Sequence, residues 1–293
     1  MDVQRQRRRK IKNTVVKIPI LGKLILILYR FKSRIGHITV PFRQLIRWLF
    51  ESNEVTNLTF NLVERNKLYL ASTIAYLTHK PYEEVLGYIN ELDNDTGLKA
   101  HITQSIQESD ERHFSDLNVR FGRRLGWYAF VRTLKPRVVV ETGVDRGLGS
   151  CVLTAALLKN AEEDGSEGYY YGTEINPEAG YLLSGKYAKY GEVLYGDSIE
   201  SLRKLECEID LFINDSDHSA SYELREYETI QDKISDRAIL LGDNSHYLDT
   251  LFQFSLKNNR RFLFFKEETT SHWYGGGGIG ISFKDDYVRA IPR

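Results

Sequence analysis

The chain has 293 residues, 42% hydrophobic and 27% charged, which excludes wholesale disorder and leaves room for one full α/β domain with an extension. Its two cysteines, Cys151 and Cys207, exclude a disulfide framework and suit a reducing, cytoplasmic setting. Net charge is zero, but residues 1–50 hold 13 Lys/Arg against one acid, so +12 there is balanced by −12 in the remainder and the zero excludes nothing about partners.

The leader opens with Arg5, Arg7, Arg8, Arg9 and Lys10 and continues into an apolar run, Ile18 to Tyr29, broken by Pro19, Gly22 and Lys23. A bilayer crossing needs roughly 20 apolar residues, so this run is too short to span. No small-residue cleavage site follows, which argues against a secretion signal. Two readings stay open: residues 5–34 as a peripheral contact with an anionic membrane surface, or a helix packed on the main domain. Nucleic acid is not an expected partner, and a homo-oligomer is compatible with the chain.

Residues 51–117 read as a helical cap that contributes to substrate choice. Its clearest piece is Pro81 to Leu92, with Val85, Leu86, Ile89 and Leu92 on one face, closed by Asn94, Asp95 and Gly97. A further amphipathic helix is predicted from Phe121, through Leu125, Tyr128 and Val131 to Leu134, and is stopped by Pro136.

From Arg137 short apolar runs alternate with helical stretches: Val138–Val140, Tyr169–Tyr171, Val193–Tyr195, Leu211–Ile213 and Ala238–Leu241. Such alternation predicts βαβ units in a Rossmann-like, doubly wound, mostly parallel α/β sheet. Phe262–Phe265 and Ile279–Phe283 predict a C-terminal antiparallel hairpin, and Gly275 to Gly278 between them read as a flexible loop at the rim of the site. The catalytic domain is placed at 118–293, after the leader (1–50) and the cap.

Open α/β sheets bind ligands outside the carboxyl ends of their strands. The first strand runs into Glu141, Thr142, Gly143 and then Gly147, an E-x-G-x-x-x-G turn rather than G-x-G-x-x-G, in which an acid suits a ligand with an amino-acid part. The second strand ends at Glu174, where a carboxylate can accept from two ribose hydroxyls, and the third at Asp197 and Ser198, where it can meet an adenine. The fourth and fifth end in Asn214–His218 and Gly242–His246. Oxygen groups at Asp215, Asp243 and Asn244 would suit Mg²⁺ or another hard cation, with His218 close by.

These motifs resemble the class I S-adenosylmethionine (SAM)-dependent methyltransferases over residues 118–283, and within them the metal-dependent O-methyltransferases of the catechol, caffeoyl-CoA and macrocin types. E-T-G-V-x-x-G at Glu141–Gly147 resembles the SAM motif, I-D-L-F-I-N-D-S-D-H at Ile209–His218 the segment with the first metal ligand, and L-L-G-D-N at Leu240–Asn244 the strand with the other two. The resemblance implies SAM held by Glu141, Gly143, Gly147, Glu174, Asp197 and Ser198, and a divalent cation, Mg²⁺ first, on Asp215, Asp243 and Asn244. The base lysine of catechol-type members falls on His218 here, so His218 is the expected base, with Asp217 the alternative and Asp215 beside them. The implied reaction is methylation of a hydroxyl on a sugar, glycan or other small molecule. The rivals are an NAD-linked oxidoreductase or epimerase, disfavoured by the glycine spacing and the lack of Tyr-x-x-x-Lys, and a catalytically silent module that binds SAM or a glycan.

Overall fold

Valine, isoleucine and aromatic residues suit the pleated, buried middle of a sheet, and in this chain they alternate with helices. The computed structural model describes residues 21–55 and 58–284. The described residues form two compact units: one comprises residues 21–52 with Ser271–Tyr274, the other the rest of the described residues.

In the larger unit β1 (Asn61–Leu62) precedes the cap helices α2 (Glu64–Thr78), α3 (Tyr82–Asp93) and α4 (Thr96–Glu108), then α5 (Arg124–Leu134). The Rossmann-like part follows as β2 (Val138–Thr142), α6 (Leu148–Asp164), β3 (Tyr169–Glu174), β4 (Gly191–Tyr195), α7 (Ser198–Lys204), β5 (Ile209–Asn214), α8 (Ala220–Ile230), β6 (Ile234–Gly242), α9 (Thr250–Lys257), β7 (Arg261–Lys266), β8 (Thr269–Thr270) and β9 (Gly278–Phe283). Seven strands make one sheet in the order β4-β3-β2-β5-β6-β9-β7. Strands β2 to β6 pair in parallel, and β9 runs antiparallel between β6 and β7, as the hairpin reading expects. The order reverses between β2 and β3 on one side and β2 and β5 on the other, the switch point where such sheets open a crevice.

Strand side chains alternate between faces. Val140, Phe212 and Leu240 point into one layer, where they meet Leu202, Tyr227, Ile230, Leu251 and Phe254 from α7, α8 and α9. On the other layer α5 lies against α6, and α6 is buried continuously from Gly149 to Leu158. The cap is fastened to that layer by Arg132, a fully buried side chain. Its guanidinium donates to Glu91 Oε1 of α3 at 2.9 Å, to Glu163 Oε1 at 2.5 Å and to Asn160, and it covers the Tyr88 ring at 4.5 Å. Buried charges persist only when paired in this way.

Helix α3 begins after Pro81, as its sequence predicts, whereas α5 starts at Arg124, three residues after the Phe121 start expected for it. The glycine run is not a free loop. Lys266 Nζ donates to the carbonyls of Gly276 and Gly277, Gly277 N donates to Glu267 Oε2 at 3.0 Å, and Gly278 belongs to β9.

The smaller unit carries helix α1 (Leu21–Glu51), which runs through Pro41. Leu24, Ile27, Leu28 and Phe31 are exposed and recur at helical spacing on one face. The Trp48 ring meets Trp273 edge-on at 5.4 Å. No helix among the described residues is long and apolar enough to cross a membrane, and the Arg5–Lys10 cluster lies outside the described residues.

Candidate active site

Gly143 ends β2 at φ +82°, and a Cβ on it would lie 2.1 Å from the carbonyl oxygen of Asp215, so only glycine lets the β2 and β5 ends approach this closely. A cavity of about 530 Å³ opens there, lined by Gly143, Glu174, Asp197, Ser198, Asp215, Asp217 and His218 together with Arg124 and Tyr222. Seven of the residues singled out from sequence thus converge on one space.

Two others do not. Glu141 is buried and turned to the opposite side of its strand, where Tyr170 Oη donates to it at 2.5 Å and Gly149 gives it room. Burial pushes its carboxyl up to about 7, against the hydrogen bonds from Tyr170 and Ser150. Gly147 starts α6 in a left-handed conformation and packs on the backbone of Gly180 rather than facing the cavity. Both therefore shape the turn from behind. The alternation of strand side chains is the reason for Glu141: its neighbours Thr142 and Gly143 lead to the crevice, so it points to α6.

The carboxylates on the β3 and β4 ends are fixed by the backbone. Glu174 accepts from Asp145 N at 2.8 Å and from Asn176 N at 2.9 Å. Asp197 caps α7, accepting from Glu200 N at 3.1 Å and from Tyr222 Oη at 3.0 Å. Burial acts to raise Asp197, but these hydrogen bonds outweigh it and hold the carboxyl below its usual range. Ser198 Oγ donates to Glu226, a buried carboxylate that also accepts from Asn214 Nδ2 at 2.5 Å, Ser216 Oγ at 2.7 Å and Thr142 Oγ1 at 3.3 Å. Glu226 therefore gathers the ends of β2 and β5 and the start of α7 under the cavity floor. It lies on α8, where a helical glutamate carries no sequence signal of such a role.

On the β5 side, His218 Nδ1 lies 2.5 Å from Asn244 Oδ1. An amide oxygen only accepts, so Nδ1 carries the proton, which in the neutral imidazole leaves the lone pair on Nε2. Tyr247 Oη also donates to that Asn244 oxygen at 2.9 Å. Asp217 is exposed, and the side-chain and backbone hydrogen bonds of Ser219 hold its carboxyl below the usual range. Such a carboxylate is the weaker base of the two expected.

Asp215 and Asp243 come together, but their neighbour is a guanidinium. Arg123 is in direct ion-pair contact with Asp243, and its nitrogens lie 3.9 Å from Asp215 Oδ2 and 3.8 Å from Glu267 Oε2. With Asn244 engaged by His218 and Tyr247, the three oxygen groups expected to take Mg²⁺ already have protein partners, and the arrangement does not fit a divalent cation. Among the described residues no group of three His, Cys, Asp or Glu side chains is set to hold a metal. Neither Arg123 nor Glu267 stands out in the sequence reading. The signal available was Arg123–Arg124 at a helix N-terminus, the end that disfavours cations.

Residues 140–245 match a family model described as a methyltransferase domain. That stretch runs from within β2 to just beyond β6, so the similarity to methyltransferase domains covers the parallel part of the sheet. A solved structure described as a putative O-methyltransferase from Klebsiella pneumoniae is 13% identical, covers 67% of this chain and 93% of its own, and superposes at a TM-score of 0.50, which shows the fold. Two others are a methyltransferase from Podospora anserina with bound SAH (17% identical, 79% of this chain and 100% of that one, TM-score 0.48) and the O-methyltransferase TomG from Streptomyces achromogenes with SAM (15%, 63% and 89%, TM-score 0.47). No curated protein sequence matches the chain significantly.

Proposed function

We propose that the chain methylates a hydroxyl oxygen of a sugar, glycan or other small molecule, with His218 as the base. The observation that carries this reading is the single cavity in which Glu174 and Asp197 face His218 across the β2–β5 crevice. The residues present fit SAM. Two fixed carboxylates suit the hydroxyls and base of a nucleoside, Gly143 lets the β2 and β5 ends close up beside the cavity, and the buried Arg124 Nε, without a hydrogen-bond partner among the described residues, suits the carboxylate of an amino-acid arm. When bound, SAM supplies an electrophilic methyl on a sulfonium.

The protein's own task is then to align an acceptor oxygen and take its proton. An alcohol is almost wholly protonated at neutral pH, and Nε2 of His218 is the lone pair available for that proton while Asn244 steadies the imidazolium that forms. Acceptor selection falls to the cap. A smaller cavity of about 50 Å³ shares Arg124, Val144 and Asp145 with the first and adds Ile102, Ile106, Asp116, Asn118 and Arg120, so cap residues and the first cavity share a boundary.

Calorimetry with SAM and, separately, NAD(H) tests the cofactor. The wild type should bind SAM, and Asp197→Ala should lose about 1.5 to 3 kcal/mol of that affinity. Methyl-labelled SAM incubated with the protein and a small-molecule extract then reads the acceptor atom by NMR. A label recovered on nitrogen or carbon, rather than oxygen, removes the hydroxyl reading.

A further inference from the structure

Three carboxylates meet at the ends of β5, β6 and β7: Asp215, Asp243 and Glu267. Glu267 is fully buried, and the side chains of Asp215 and Asp243 are 14% and 7% exposed. Buried carboxylates gathered in one place repel one another and require a compensating cation. The chain supplies one itself. Gly122 turns at φ +50° beneath Phe60 and delivers Arg123 into the middle of the group, where its nitrogens reach all three acids. A guanidinium is planar, permanently charged and only a donor, so it can bridge several carboxylates without taking part in proton exchange.

A divalent cation would need the same carboxylate oxygens at about 2.0 to 2.6 Å and would have to sit against the guanidinium's positive charge. Asn244 would also have to release His218 and Tyr247. We propose that Arg123 is a built-in cation standing where catechol-type enzymes take up a divalent metal, so that Asp215 is held at the cavity by a protein side chain and the site works without a metal ion. Arg123 does not itself line the large cavity, and it acts as a positioning residue through Asp215 and Asp243. The inference rests on the methyl-transfer reading for what these acids serve, while the exchange of one cation for another is a matter of metal binding alone.

The test is a Mn²⁺ titration of the full chain, followed by electron paramagnetic resonance of the free ion. The wild type should leave the free-ion signal undiminished, and Arg123→Lys, which keeps a cation in place, should do the same. Arg123→Ala empties the position and should take up one Mn²⁺ at least about tenfold more tightly than wild type, with the uptake lost when Asp243→Asn is added. A merely structural arginine would not create a metal site on removal. If Arg123→Ala fails to fold by circular dichroism, Arg123→Gln replaces it. Stoichiometric Mn²⁺ binding by the wild type, abolished by Asp243→Asn, overturns the proposal, as does the absence of any gain in folded Arg123 variants. SAM calorimetry on the same samples keeps the two readings apart: wild type that ignores both SAM and Mn²⁺ removes the transferase reading and leaves the cation replacement standing.

Discussion

The β3 and β4 ends and the β5, β6 and β7 ends carry the same kind of side chain in opposite circumstances. Glu174 and Asp197 are tied to backbone amides and face an open cavity, whereas Asp215, Asp243 and Glu267 are pressed around Arg123. A carboxylate satisfied by amides on one side keeps lone pairs for a ligand; one enclosed by a guanidinium has spent them. Acidic strand ends in a sheet of this type are therefore not interchangeable, and the environment of each decides whether it meets a nucleoside, an acceptor or the protein itself.

The most drastic way to break that comparison is at Gly143, which touches both halves. Gly143→Ala forces a Cβ against Asp215 O at a positive φ, so it should abolish SAM binding and lower stability by about 2 to 4 kcal/mol, read by calorimetry and chemical denaturation. Unaltered SAM affinity in this variant would mean that the two halves are not held through the turn. The next effect separates them. His218→Ala should lower the rate by about 10² to 10⁴ while SAM affinity stays unchanged, because the imidazole belongs to the β5 side. A loss of SAM affinity equal to the loss of rate would assign His218 to cofactor binding.

The smallest effect concerns Glu141, behind the cavity. Its folded pKa, near 7, lies above the ordinary 4.5, so the neutral form is favoured in the folded protein. The stability this contributes is complete below about pH 4.5 and is lost as pH rises through about 7, at up to about 1.4 kcal/mol per pH unit. Glu141→Gln keeps the shape and removes the titration. The stability difference between wild type and variant should fall across that window, and a flat difference would place the Glu141 pKa elsewhere.

Much of this was legible in the chain. Short valine- and isoleucine-rich runs between helices gave away the parallel strands, since periodicity reflects burial directly. That Glu174, Asp197, Asp215 and His218 would converge on one cavity was legible because strand ends are where such sheets open a crevice. Glu141 was misplaced by one step of strand alternation, and the glycine run was misjudged because Lys266 and Glu267, which fasten it, are ten residues away. Arg123 was least legible: its partners lie 92, 120 and 144 positions downstream, and no local pattern announces a contact at that range. The leader was read as an apolar run ending at Tyr29, whereas helix α1 continues through Pro41 to Glu51.

The cavity's charge also bears on how a turnover ends. Glu174, Asp197 and Asp217 line it, Asp215 being offset by Arg123, and Arg124 is a positive side chain on its wall. In the proposed methyl transfer SAM arrives with one net positive charge, from its sulfonium and ammonium against its carboxylate, and the spent ligand leaves with none. An acidic enclosure grips the first by Coulomb attraction and has no such hold on the second. Bond transfer thus switches off part of the attraction that retained the ligand, so the field that captures the methyl donor also hastens the departure of its demethylated remnant.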